Sequence, residues 1–282
     1  MQLDQIGSID QYKYWNEKSV TYWLIYDYEI NRKFINITNT LLSNINIKKN
    51  SKILDIGCGS GNISKIISEK VGKKGEVLGI DISKPMLKLF NKNTKNIKNT
   101  RNMQIDIEKY SFEEKLFNYA VSRFGVMFFE NPCLAFKNIY TSLKKGGFLT
   151  FVCWTDFSYN EFFSLPALAV TKVTGIKRPS ITSKPGPFAF SNNNLLYKIL
   201  KKNNYKNINI KTVKTLLPAD DIDIDVEILT NIGTGAKMIR EKKLRKPEIT
   251  KVKRELNKLL YENIYKNKKK YKAKIFLVSA KK

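Results

Sequence analysis

The decisive stretch is Ser51-Lys-Ile-Leu-Asp55-Ile-Gly57-Cys58-Gly59-Ser-Gly61-Asn-Ile-Ser64. Ile53 to Ile56 is a short apolar run with one acid, the pattern of a buried strand. Glycine then falls on alternate positions, Gly57, Gly59 and Gly61. Ser60 or Asn62 can cap a helix that carries Ile63, Ile66, Ile67 and Val71 on one face. Strand, glycine turn and helix in succession build the ligand crevice of an open α/β sheet, at the carboxyl end of its first strand. Glycine lets the backbone turn tightly there and lets a ligand come close. A dinucleotide fingerprint needs its third glycine one position later, where this chain has Asn62. The plainer reading is a tight turn without a ligand, or a nucleotide-binding variant.

The next segments keep the α/β rhythm. Gly72 to Gly75 is a turn, and Glu76 to Asp81 is a second strand that ends in an acid 20 residues beyond Gly61. An acid at that point can accept hydrogen bonds from both hydroxyls of a ribose. Ser83 can cap the following helix, with Pro85 in its first turn. Asn102 to Glu108 is a third strand and turn, Phe117 onward a fourth strand, and Phe148 to Trp154 a fifth. A helix over 131–144 lies between the last two, begun by Pro132 and ended by the Gly146-Gly147 pair. That reading of Pro132 competes with a Pro-Cys nucleophile at Cys133, which lies too far beyond the fourth strand to serve.

Composition excludes several classes. The chain has 282 residues, 42% of them apolar, which suits one large α/β domain with insertions or two small domains. Fifty-one Lys and Arg against 25 Asp and Glu give a formal charge of +26. An anionic partner such as nucleic acid or a membrane surface would explain that charge. Compositional drift explains it better, because Lys, Asn and Ile are abundant throughout. The denser runs are Lys242-Lys243, Arg245-Lys246 and Lys266–Lys274. Cys58, Cys133 and Cys153, an odd number without regular spacing, argue against a disulfide framework and for a reducing cytoplasm. With no histidine anywhere, a zinc site is not expected. No signal peptide and no membrane-spanning run are expected, and no feature fixes an oligomeric state.

The flanks are less patterned. Residues 9–47 crowd Tyr12, Tyr14, Trp15, Tyr22, Trp23, Tyr26 and Tyr28 before Ile30, Phe34, Ile37 and Leu41 at helical spacing. They suit a helical lid or a helix pair packed on the sheet. Residues 155–190 look irregular, punctuated by Pro166, Pro179, Pro185 and Pro187. Ser191 caps a helix to about Lys202, and Tyr205 to Lys214 alternates as a strand. Asp220, Asp221, Asp223 and Asp225 form a dense acidic patch, taken as a charged helix start rather than a cation site. An amphipathic helix over 248–265 turns Val252, Leu256, Leu259, Leu260 and Ile264 inward, and Tyr271 to Ser279 is a last strand.

Three motifs together, Asp55-x-Gly57-x-Gly59-x-Gly61, Asp81-Ile-Ser-Lys-Pro-Met86 and Ser122-Arg123-Phe-Gly-Val-Met-Phe-Phe, lead into Asn131-Pro132 and Cys153-Trp154. This series resembles the class I S-adenosylmethionine-dependent methyltransferases of the small-molecule type, the methyltransferase 11/25-like group, over about residues 51–154. The resemblance implies an α/β fold with a Rossmann-like, seven-stranded, mostly parallel sheet, an antiparallel last strand at its edge, helices on both faces and an N-terminal helical cap. It implies a cap over 1–48 and a methyltransferase domain over 49–282, with substrate-facing insertions at about 155–190 and 216–268. It implies S-adenosylmethionine as cofactor, held by Asp55, Gly57, Cys58, Gly59, Gly61, Asp81, Ile82, Met86, Asp106, Ile107, Ser122, Arg123 and Trp15. Asp106 and Ile107 would meet the adenine, Asp55 the donor's ammonium, and Tyr14 or Trp15 the sulfonium through a ring face.

The function implied is methyl transfer to a small-molecule acceptor by in-line displacement. Two alternatives stay open: a tRNA or rRNA methyltransferase, and a non-catalytic S-adenosylmethionine-binding protein. Ser122-Arg123-Phe124-Gly125 stands where nucleic-acid adenine methyltransferases carry an Asn-Pro-Pro-Tyr-like tetrad, which disfavours nucleic acid. The sequence names no catalytic residue. Without histidine, any base is an Asp, Glu, Tyr or Lys, or belongs to the substrate.

Overall fold

The computed structural model describes residues 9–17, 20–112, 115–178, 180, 184–266 and 269–282. Residues 1–8, 18 and 19 of the expected cap, residues 179 and 181–183 of the expected 155–190 insertion, and two residues of the Lys266–Lys274 run lie outside them. The strands are β1 (Lys52–Ile56), β2 (Glu76–Asp81), β3 (Thr100–Gln104), β4 (Phe117–Arg123), β5 (Leu143–Trp154), β6 (Lys206–Pro218) and β7 (Lys270–Lys281). Before β1 come α1 (Ile9–Asn16), α2 (Val20–Ile25), α3 (Asp27–Lys33) and α4 (Ile35–Ser43). Between strands lie α5 (Asn62–Val71), α6 (Lys84–Thr94), α7 (Pro132–Ser142), α8 (Glu161–Thr174) and α9 (Asn193–Lys202). After β6 come α10 (Ile222–Asn231), α11 (Gly233–Glu241) and α12 (Lys246–Leu260). None of the helices among the described residues is long and apolar enough to cross a membrane.

The seven strands form one sheet in the order β3-β2-β1-β4-β5-β7-β6. Strands β1 to β5 run parallel, and β7 runs antiparallel to both of its neighbours. The last strand therefore sits inside the sheet, and β6 is the edge, contrary to the edge position expected for it. Four successive residues of β1 and four of β4 are buried, so helices cover both faces. The strand order reverses between β1 and β4, which opens a crevice at the carboxyl ends of these strands.

Local chemistry moves several boundaries. Gly61, with φ of 83°, precedes α5 and makes no side-chain cap, so neither Ser60 nor Asn62 has that role. Ser83 caps α6 by accepting from the Met86 amide at 3.3 Å, as expected. Helix α7 stops at Ser142 rather than at a glycine, because Leu143 is already extended and pairs with Phe117. Asn192, not Ser191, caps α9. The segment expected to be irregular contains the 14-residue α8, which accommodates Pro166 inside it. Pro166 removes one backbone donor from that helix. The fully apolar face of Phe162, Phe163, Leu165 and Val170 compensates by burial.

Two sets of contacts illustrate how the N-terminal helices are fixed. Asn16 donates to the Ile82 carbonyl at 3.0 Å and accepts from the Lys84 amide at 2.8 Å, while the Ser83 hydroxyl donates to the Trp15 carbonyl at 2.6 Å. In the other set the Lys33 ammonium is fully buried between two carboxylates, Asp225 at 2.7 Å and Asp220 at 3.0 Å, and also donates to the Pro218 carbonyl at 3.0 Å. Arg32 pairs with Asp220 as well. Tyr265 and Tyr271 donate to the far oxygen of Asp225 at 2.8 and 2.5 Å. The acidic patch is thus more than a helix start. Asp221 caps α10, but Asp220 and Asp225 point inward to a single lysine.

Removing one partner of such a cluster leaves a buried charge without compensation. Lys33→Ala is expected to destabilise the chain by about 3–5 kcal/mol in urea unfolding. A loss below about 1 kcal/mol would show that water reaches Asp225.

Candidate active site

The crevice is lined from three directions. The turn after β1 supplies Asp55, Gly57, Cys58, Gly59 and Ser60, and the ends of β2 and β3 supply Asp81, Ile82, Met86 and the run Ile105 to Glu108. Arg123, Phe124, Gly125 and Phe128 to Glu130 come from beyond β4. Gln11, Trp15, Trp23, Asp27, Ile30, Asn31 and Phe34 come down from the N-terminal helices.

Close backbone approach shapes the floor. A Cβ on Gly57 would stand 2.7 Å from the Gly125 Cα, and one on Gly125 would stand 2.6 Å from the Ile56 carbonyl oxygen. Two glycines are needed because the β1 and β4 exits touch there. Ser122 locks the same junction, donating to the Ile56 carbonyl at 2.7 Å and accepting from the Gly125 amide at 3.2 Å. Next to it Phe124 adopts φ of 70°, a left-handed conformation that costs a bulky residue energy. Its ring stacks on Trp154 with centroids 4.3 Å apart, and this packing holds it against the cavity wall.

Carboxyl groups dominate the polar lining. Asp55 is buried at the strand end, accepts from the Ser64 hydroxyl at 2.6 Å, and is pushed up to about 6 by burial. Asp81 accepts from the Gly59 amide at 2.9 Å with one oxygen and from the Ser83 amide at 2.8 Å with the other. Burial raises its carboxyl despite these bonds. Each oxygen keeps acceptor capacity toward the cavity. Glu108 accepts from the Glu130 and Asn131 amides at 2.8 and 2.5 Å, so it braces the start of α7. Arg123 is the lone basic residue among the described lining residues, against Asp27, Asp55, Asp81, Asp106, Glu108 and Glu130. Burial pushes its guanidinium down to about 10, while Asp55 and Asp27 act in the opposite direction.

Eleven of the thirteen expected residues come together in this lining: Trp15, Asp55, Gly57, Cys58, Gly59, Asp81, Ile82, Met86, Asp106, Ile107 and Arg123. Gly61 and Ser122 stand behind it. A Cβ on Gly61 would collide with the Phe90 ring at 2.6 Å, and the Ser122 hydroxyl is turned to Ile56. Tyr14 packs edge-on against Trp15 instead of entering the cavity, and Trp15 is also flanked by Trp23 and Phe128. No described residue of 155–190 lines the crevice; Phe162 packs behind Phe34, one layer out. Sequence reading missed Asp27, Asn31, Phe34, Trp23 and Glu108. The signal for three of them was present, since residues 27, 30, 31 and 34 share one helical face on which two polar residues interrupt an apolar stripe.

A cavity with acids and aromatic faces, in a chain of +26, is built for a ligand with positive charge. S-adenosylmethionine, with its sulfonium and ammonium, fits this lining. Asp55, Asp81 and Trp15 are the groups that would hold it.

Residues 53–147 match a family model described as a methyltransferase domain. The chain is 30% identical over 145 residues to the demethylmenaquinone methyltransferase of Staphylococcus carnosus, which is 51% of each protein. It is 33% identical over 107 residues to that of Staphylococcus epidermidis, covering 38% of this chain and 44% of the relative. The chain thus spans about half the length of the curated relatives it matches. Among solved structures, Haemonchus contortus phosphoethanolamine N-methyltransferase 2 in complex with S-adenosyl-L-methionine superposes with a TM-score of 0.61 at 19% identity, over 98% of this chain and 60% of that one. A SAM-dependent methyltransferase from Aquifex aeolicus gives 0.52 at 14% identity, over 94% and 99%. At these identities the two structures share the fold. Over residues 53–147 this chain is similar to methyltransferase domains, and its fold is one that S-adenosylmethionine-binding methyltransferases share.

Proposed function

We propose that the protein transfers a methyl group from S-adenosylmethionine to a small-molecule acceptor by in-line displacement. The observation that carries this reading is the acidic, aromatic-walled crevice at the β1–β4 switch point of a strongly basic chain. The cofactor supplies the activated methyl on its sulfonium. The chain's own residues bind, orient and exclude water. Asp81 offers its carboxylate to the ribose hydroxyls. Trp15, held by Tyr14, Trp23 and Phe128, offers a ring to the cation. The N-terminal helices and the Phe124 to Phe129 segment close the crevice, so that positioning supplies much of the rate.

A polyanion would meet six acids in the crevice lining, which favours a small acceptor over RNA or DNA. The relatives' names suggest two acceptors to try first, demethylmenaquinone and phosphoethanolamine. The cytoplasm is the compartment that suits the free cysteines Cys58, Cys133 and Cys153.

Calorimetric titration with S-adenosylmethionine, S-adenosylhomocysteine and NAD tests the cofactor. Micromolar binding of the first two is expected, lost in Gly59→Val, where φ is 53° and the added side chain meets Met86. Binding of NAD alone would overturn the reading. Release of S-adenosylhomocysteine with an acceptor then separates an enzyme from a binding protein.

Asp55 makes that binding depend on pH. In the free protein its carboxyl titrates at about 6; a ligand cation beside it draws it down again. Below about 6, binding must release a proton, so affinity is expected to rise with pH up to that point and to level above it. Asp55→Asn should flatten the profile. An unchanged profile in the variant would assign the titration to another group.

A further inference from the structure

Asp27 and Arg123 bring opposite charges into one cavity, and a single side chain positions both. Asp27 opens α3, and Asn31 follows one turn later. The Asn31 amide nitrogen donates to the Asp27 carboxylate at 2.9 Å and to its carbonyl at 2.8 Å. The Asn31 amide oxygen accepts from the Arg123 guanidinium at 2.5 Å. Arg123 also donates to the Thr38 hydroxyl at 2.8 Å, and its guanidinium carbon lies 5.9 Å from the centre of the Phe34 ring. Asn31 of α3, Thr38 of α4 and Phe34 between them therefore orient one arginine that comes from the end of β4.

Neither charge is exhausted by these contacts. A guanidinium has five N–H donors, and a carboxylate has about four lone-pair sites. Two of the arginine's donor groups are used on Thr38 and Asn31. Asp27 takes Asn31 and the Ser60 hydroxyl, and burial raises its carboxyl, so an added cation would relieve it. The Ser60 contact sets Asp27 beside the glycine turn between Gly59 and Gly61, and Arg123 lies within the field of both Asp55 and Asp27.

We propose that Asp27 and Arg123, spaced by Asn31, clamp the zwitterionic α-amino-acid end of the methyl donor, the carboxylate taking its ammonium and the guanidinium its carboxylate. This rests on the reading of the cofactor above and adds two contacts to it. The ammonium is then gripped directly by a residue of the N-terminal helices, and buried Asp55 acts on it through its field. The clamp selects a ligand with both charges, because either charge alone would leave the other residue unpaired.

Two probes separate the clamp from the rest of the site. S-adenosylhomocysteine keeps the amino-acid end, and 5′-methylthioadenosine lacks it. On the full chain, Asp27→Asn and Arg123→Gln are each expected to weaken S-adenosylhomocysteine by about 10-fold to 100-fold in calorimetry, the scale of a charged hydrogen bond. 5′-Methylthioadenosine should stay within about 2-fold of wild type, which also shows that the variants are folded. Equal losses for both probes, or no loss for S-adenosylhomocysteine, would overturn the clamp while leaving the cofactor in place. Failure of the wild-type chain to bind either probe would overturn the cofactor reading, and the clamp with it.

Discussion

A lysine ammonium shut away from water holds this molecule in its working arrangement. Lys33 lies at the end of α3, and its partners Asp220 and Asp225 lie about 190 residues later, beyond the end of β6. Burying three charges brings little net stability, because desolvation offsets the attraction. What the cluster supplies is position. A lysine lowered by burial and raised by Asp225 tolerates few alternative placements, and Tyr265 and Tyr271 fix the aspartate in turn. Asp27 and Asn31 of the same helix, and Phe34 just after it, then reach the crevice at a set depth.

Against that anchor the electrostatics of the chain divide in two. The outside is lysine-rich, and the crevice carries six acids around one arginine. A uniform drift toward lysine would not spare the cavity walls, and the division is clearest where β1, β2 and β4 end. There the backbone exits approach so closely that Gly57 and Gly125 admit no side chain. The acids hold hydrogen bonds from Ser64, Gly59 and Ser83, which keep them aimed while the surrounding protein raises their pKa values.

Much of this was legible in the chain. The glycine turn and the acid at the end of the second strand are local signals, and their spacing pointed to an open α/β sheet with a crevice at the end of its first strand. Ser83 was legible as a cap because the chemistry lies within four residues. Lys33 was not, since nothing at position 33 announces partners at 220 and 225. Asp27 and Asn31 were hidden by the aromatic residues around them, which drew the reading toward packing. Helix α8 was masked by Pro166, whose local preference is overridden by a buried face. The place of β7 between β5 and β6 follows from tertiary pairing, which no periodicity encodes.

That last placement bears on how the molecule is made. Strand β7 follows every other described strand in the chain, yet it pairs with β5 on one side and with β6 on the other. As the chain leaves the ribosome, β6 emerges with no partner beside it, and more than sixty residues must follow before β7 is complete. In that interval β6 is a long ribbon with unpaired backbone groups on both edges, the kind of surface that recruits other nascent chains. Lys206, Lys211 and Lys214 are spaced along it, and like charges on neighbouring copies repel. In the folded chain β6 remains the edge of the sheet, and the same exposed lysines stand along it.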